Sequence, residues 1–318
     1  MRFLAKRLAQ GLGVLIGTLT LVFFIFSFVP DPARELAGQT ERESVVQAFR
    51  VKHGLDKPTH IRYLHFMSNV ARGDLGFSYI SGRPVVQAIK DALPATLILA
   101  FAAMFFATIF GISIGLTLAV FPNARFGDLI LSICALGMSA PSFVVAIVVA
   151  WIFGYLLHSY TGLPMTGGMI TVDPFEGPRL AWAHLILPAL TLGIRPLAVI
   201  VQLSRNSALE VLAQPYIRTA RAKGLSSSRI LFKHVLRNAL NPVLTATSGW
   251  FASMLAGAVF VEFVFGWKGM GLLMFNALER GDLPVVMGCT LVIATIFVLV
   301  NVVVDLLYGY LDPRVLQN

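Results

Sequence analysis

The sequence predicts an all-α polytopic membrane protein with six transmembrane helices. Composition is the first reason: 57% of the 318 residues are hydrophobic and only 13% charged, against about 25% charged in an ordinary soluble domain. The second is that the charges are clustered. Ala95–Val120, Leu129–Leu157, Leu240–Val261 and Leu283–Val304 are charge-free over 26, 29, 22 and 22 residues, and a bilayer core needs about 20 apolar residues as a helix. The third is the bias of basic residues between alternate loops, which orients the spans.

The last run can be weighed. Its 14 Leu, Ile, Val and Phe residues contribute about −6 kcal/mol towards insertion. Thr290, Thr295, Asn301 and Pro284 oppose this without carrying charge. Leu8–Val29 is the first span. It follows Arg2, Lys6 and Arg7 as a signal peptide would, but its apolar stretch of 22 residues exceeds the roughly 7–15 of a signal core. Pro30-Asp31-Pro32 follows instead of a small-residue cleavage site, so an uncleaved span is expected. Ala183–Ser204 is the sixth, interrupted by Pro188, Arg195 and Pro196.

With the N-terminus inside, segments 1–7, 121–128, 205–239 and 305–318 carry 12 basic residues, and the outer loops 158–182 and 262–282 carry 3. The positive-inside rule therefore places both termini in the cytoplasm. The net charge of +9 is explained by topology. The loop at 205–239 can touch anionic lipid, and no aromatic-interleaved basic patch points to nucleic acid. Cys134 and Cys289 lie inside spans and read as apolar fillers.

Three divisions follow: an N-terminal helix at 1–29, an extracytoplasmic segment at 30–94, and a core of five spans at 95–318 with a coupling loop at 205–241. In the outer segment Glu41–His53 and Pro58–Val70 read as helices, followed by the turn-rich Gly73-Asp74-Leu75-Gly76-Phe77-Ser78. The segment caps a channel mouth or receives a delivery protein, or else only protects the span ends. His53, His60 and His65 lie at offsets that do not share one helix face, so surface histidines are expected and no metal site.

The loop after 205 is the most informative stretch. Pro215 stands where a helix would begin, Tyr216–Lys223 is helix-compatible, and Gly224 falls just past the end with Arg221 and Lys223 in the last turn. Ser226–Ser228 can cap a second helix over Arg229–Leu240, with Pro242 opening the next span. A short helix held between two spans can plug into a partner and transmit its motion. Without a partner it is only a helical hairpin.

The run Tyr216-Ile-Arg218-Thr219-Ala220-Arg221-Ala222-Lys223-Gly224-Leu225, then His234–Ala239 and Asn241-Pro242-Val243, resembles the coupling loop of the dipeptide/oligopeptide/nickel permease family of type I ABC importers. The wider class has Glu-Ala-Ala before the Gly, and only Ala220 and Gly224 match that form. Arg-Thr-Ala is common in the narrower family. Gln214 stands where the family often has an acid, and Arg237 where the class has Pro. Leu93–Leu97, Ile186–Leu190, Gly257-Ala258 with Glu262, Val302–Tyr308 and Leu311–Arg314 extend the resemblance along nearly the whole chain. It implies a second, homologous permease subunit, two ATPase subunits docking at 215–225, ATP and Mg bound by those subunits with no cofactor in this chain, a periplasmic or lipid-anchored solute-binding protein at the outer face, and an inner-membrane location.

No Gly-x-x-x-x-Gly-Lys-[Ser/Thr] loop is present, so the chain has no ATPase of that kind. The spans lack internal carboxylates such as a proton-coupled carrier keeps, although a secondary carrier or channel remains the alternative. Arg195 is the one deep charge. It either faces the bundle interior or a watery cavity, or snorkels to a headgroup. With Ser139, Pro141, Ser142, Pro188 and Pro196 it marks a candidate pathway or kink. Gly111-Ile112-Ser113-Ile114-Gly115 has hydrolase-elbow spacing but lies mid-span, where small residues let helices pack closely.

Overall fold

The computed structural model describes residues 2–27, 43–121, 125–173 and 177–311. In chain order the first helices are α1 (Arg2–Ser27), α2 (Glu43–Lys52), α3 (Thr59–Ala71), α4 (Val85–Val120), α5 (Arg125–Ser139), α6 (Ser142–Val149) and α7 (His158–Thr161). A hairpin of β1 (Ile170–Asp173) and β2 (Gly177–Leu180) pairs Ile170 with Leu180 and Thr171 with Arg179. Then come α8 (Ala183–Leu212), α9 (Pro215–Ala222), α10 (Ser227–Ile230), α11 (Leu236–Phe265), α12 (Met270–Glu279) and α13 (Leu283–Leu311). Wider π turns prolong α6 over Ala150–Leu156 and join α10 to α11 over Leu231–Val235.

Among the described residues four helical stretches are long and apolar enough to cross a membrane: 9–27, 85–120, 183–212 and 283–304. Two bent pairs, 126–139 with 142–156 and 258–265 with 270–279, raise the number to six if each is one span. The end of the expected first span at 28–29, residues 30–42 of the outer segment and Asp312-Pro313-Arg314 lie outside the described residues.

Three elements differ from the sequence expectation. The helix expected from Ala95 begins at Val85. Lys90 and Asp91 end the charge-free run but sit on its exposed face, Asp91 pairing with Arg83 at 2.9 Å, while Val85 and Ile89 are buried. The single run 129–157 is two helices bent by 116° at Ala140-Pro141, because Pro141 has no N–H for the preceding turn and starts α6 from an extended conformation. The separate helix expected over 229–240 is instead continuous with the next span through the π turn, and Pro242 lies inside α11 rather than opening it. One lost hydrogen bond does not break a 30-residue helix packed along its length.

The chain forms two compact units, Met1–Thr96 with Lys268–Asn318, and Leu97–Trp267. In the first, α1 lies so close to α13 that a Cβ on Gly11 would stand 2.5 Å from Val298. Val85, Ile89, Met270, Val285, Val286 and Cys289 form its core. Thr96 Oγ1 accepts the buried Met270 N–H at 2.7 Å. The buried Asp282 carboxylate accepts the Ser78 hydroxyl and, at 3.0 Å, the Tyr79 N–H, which pins the turn after Gly73.

In the second unit α4 and α8 meet at small residues. A Cβ on Gly115 would lie 2.5 Å from the Val201 carbonyl and one on Gly111 2.7 Å from Ile200. Among the described residues the Ser113 hydroxyl bonds only its own helix, to Ile109 O at 2.7 Å, so this stretch is a packing seam. Cys134 and Cys289 are both buried within their helices. Phe105, Phe126 and Leu136 are 70%, 74% and 71% exposed, the apolar outside that a bilayer or partner chain covers.

Candidate functional site: a capped short helix and a broken span

The 215–225 segment folds as its residues dictate. Pro215 occupies the first position of α9, where its missing N–H costs nothing. Gln214 is extended and its side chain caps nothing. At the other end the Leu225 N–H reaches Ala220 O at 3.2 Å and the Gly224 N–H reaches Arg221 O at 2.9 Å. This paired closure needs a left-handed residue between, supplied by Gly224 at φ +77°. Thr219 folds its hydroxyl back onto Pro215 O at 3.2 Å.

Two faces of α9 then separate. Ile217 and Ala220 are buried with Leu116, Ala119, Ala208, Ile230, Val235 and Ala239, and Leu225 packs against the same cluster. Tyr216, Arg218, Thr219, Arg221, Ala222, Lys223 and Gly224 are exposed. Sequence reasoning missed two neighbours. Asn238 donates to the Tyr216 hydroxyl at 3.3 Å, and Phe232 stands 67% exposed on the π turn. Their spacing from α9 is hidden because the π turn displaces the ordinary helical register. A rigid cationic, aromatic-edged knob anchored by an apolar underside can be pushed or pulled as one body.

The break between α5 and α6 is the second feature. Arg195, midway along α8, donates Nε–H and Nη2–H to Met138 O at 3.3 and 3.2 Å, taking a carbonyl at the end of α5 that the break deprives of an intrahelical partner. Beside it lies a cavity of about 140 Å³ lined in part by Ser142, Thr191, Arg195, Pro196, Trp250 and Ser253. Of the residues singled out from the sequence, Ser142, Arg195 and Pro196 line this space together. Ser139 bonds Ala135 O at 3.0 Å in its own helix, Pro141 forms the bend, and Pro188 is buried in α8 away from the cavity. Trp250 and Ser253, on α11, carry no signal in the sequence that ties them to Arg195.

The first unit holds a larger cavity, of about 760 Å³, whose walls include Phe49, His53, Arg62, His65, Phe66 and Tyr79. His53 and His65 meet here, while His60 does not line it. Among the described residues no group of three His, Cys, Asp or Glu could hold a metal. Burial, then Lys52, lowers the His53 pKa below its usual value. Burial raises the Tyr79 hydroxyl, Arg62 opposing and Asp282 adding to the rise.

Comparison with known families decides what this framework is. Residues 111–317 match the model of the binding-protein-dependent transport system inner membrane component, and residues 1–100 match that of its N-terminal region. This chain belongs to that family of ABC-importer permeases. Like other permease subunits of such importers, it is a translocation subunit whose ATPase is a separate chain. The permease is 37% identical to the dipeptide transport system permease protein DppB of Alkalihalophilus pseudofirmus, with 98% of both chains covered. It is 38% identical to the DppB of Escherichia coli K12, over 99% of this chain and 98% of that one. Identity to the glutathione transport system permease protein GsiC of Escherichia coli O6:H1 is 36%, over 99% of both chains. The fold of this permease also matches the MetNI methionine ABC transporter in an inward-facing conformation, with a TM-score of 0.57 at 19% identity. That match covers 71% of this chain and 97% of the other.

Proposed function

We propose that this permease forms half of a pathway that moves di- or oligopeptides, or a related small solute such as a glutathione-like tripeptide, across the cytoplasmic membrane by alternating access. The observation that carries the reading is identity of 36–38% to dipeptide and glutathione permeases over nearly the whole chain. A second, homologous permease subunit completes the pathway. Two ATPase subunits, which bind ATP and Mg, dock at 215–225, and a periplasmic or lipid-anchored binding protein delivers cargo to the opposite face. Both termini are then cytoplasmic, a reading supported by the bias of basic residues between the short loops, and residues 30–94 lie outside. The exposed Tyr216, Arg218, Arg221 and Lys223 on α9 support the docking assignment.

The test is reconstitution with the candidate ATPases, partner permease and binding protein in liposomes. ATP-dependent uptake of a labelled dipeptide, with ATP hydrolysis stimulated by the loaded binding protein, is the expected result. Uptake by this chain alone down an ion gradient without ATP would overturn it in favour of a secondary carrier.

A further inference from the structure

We propose that Arg195 and the cavity beside it form a transit site for the free carboxylate of the transported solute, a deepening that rests on the peptide-transport reading above. Three independent observations converge on this point.

The first is depth. Arg195 is the thirteenth residue of the 30-residue α8, about 18 Å along the axis from its start. A cation at such a depth costs roughly 2.5–3.5 kcal/mol on insertion scales and is retained where it meets a polar pathway. The nearest later charges on the same helix, Arg205 and Glu210, lie ten and fifteen residues on, about 15 and 22 Å away along the axis.

The second is unspent hydrogen-bonding capacity. Among the described residues Arg195 has no carboxylate partner, and its bonds go to the neutral Met138 carbonyl. Those bonds use the Nε/Nη2 edge of the guanidinium. The end-on fork of Nη1 and Nη2 remains, and that fork matches the two oxygens of a carboxylate.

The third is the space itself. The cavity has a volume of about 140 Å³, and among the described residues of its wall none is acidic. Ser142, in that wall, is the first residue of α6, so the positive end of a helix also borders the space. Trp250 and Met254 give the apolar side against which a Cα or side chain can slide. A guanidinium fork, a helix N-terminus and an acid-free wall describe an anion site. On the peptide reading, the anion every cargo shares is its C-terminal carboxylate.

The experiment uses the complete importer in proteoliposomes and two probes, labelled alanyl-alanine and its C-terminal amide. Uptake of each is normalised to the amount held by the binding protein, so that selection upstream cancels. Arg195→Gln should lower uptake of the free acid about tenfold, the loss of one charged hydrogen-bond pair, while amide uptake changes less than twofold. Arg195→Lys keeps the charge without the fork, should lower the free acid about fivefold, and carries the test if the glutamine variant does not assemble. Equal loss for acid and amide would show that Arg195 only braces the α5–α6 break and overturns the proposal, as does no loss for either. A wild-type complex that moves neither probe sinks the peptide reading and this proposal together, whereas transport indifferent to Arg195 sinks this proposal alone.

Discussion

At the scale of single residues the glycines discriminate sharply between two physical roles. Gly224 has φ +77° with nothing within 4 Å of where a Cβ would stand, so its requirement is purely conformational. Gly224→Ala forces a left-handed alanine at a cost of about 1–2 kcal/mol and loosens the end of α9. The expected outcome is weakened stimulation of the ATPases with little change in the thermal midpoint of the isolated permease, whereas Gly224→Asn, which tolerates this region better, keeps most of the stimulation. Gly115 is the opposite case, a helical glycine whose Cβ would meet the Val201 carbonyl at 2.5 Å and Ser204 Cβ at 2.6 Å. Gly115→Ala should destabilise the second unit by about 1–3 kcal/mol through overpacking. Gly249→Ala, with nothing within 4 Å, is the control. Thermal unfolding in detergent reads both, and equal midpoints would remove the close-packed seam from the account.

At the scale of elements, what was legible depended on whether the signal was local. Charge-free runs announce spans because the cost of burying charge is paid residue by residue, and Pro215 and Gly224 announce α9 because each acts on its own φ. The 116° bend at Pro141 was legible as a kink but not in size, since a proline removes one bond and packing sets the angle. The Arg195–Met138 contact spans 57 residues and was not legible at all, because only the folding of α8 against α5 brings the two together. The π turn at 231–235 was missed for a related reason: it displaces register without altering composition. His53 was read as a surface residue, yet it faces the Tyr79 ring with centroids 4.7 Å apart. Its lowered pKa has a consequence of definite sign. The unfolded chain takes up a proton near pH 6.5, before the folded one does, so the contribution of His53 is intact above that value and lost as pH falls below it. Stability of the first unit should therefore decline from pH 7 to pH 5.5, and His53→Gln should flatten part of that decline. Identical slopes in wild type and variant, measured by thermal unfolding across that range, would rule out this role for His53.

At the scale of the whole molecule, an ABC permease must receive force from outside itself, and on the docking proposed for residues 215–225 α9 would separate the two jobs this requires. Ile217 is fully buried and ties α9 to the unit's core, while Arg218, Arg221 and Lys223 project from the opposite face. Anchoring is apolar and insensitive to salt, whereas docking through exposed cations is screened with a Debye length of about 8 Å at physiological ionic strength. The two jobs can thus be broken independently. Arg218→Glu combined with Arg221→Glu should leave the fold and thermal midpoint of the permease unchanged but slow association with the ATPase subunits about tenfold or more. Raising salt should slow wild-type association towards the variant's rate. Ile217→Asp should do the reverse, destabilising the second unit whatever the salt, because an unpaired carboxylate would be buried beneath α9. The deciding measurement is the rate of ATPase binding to immobilised permease at low and high salt. A wild-type rate indifferent to salt, with the double variant equally fast, would mean that the force enters through another surface and that the basic face of α9 only meets lipid.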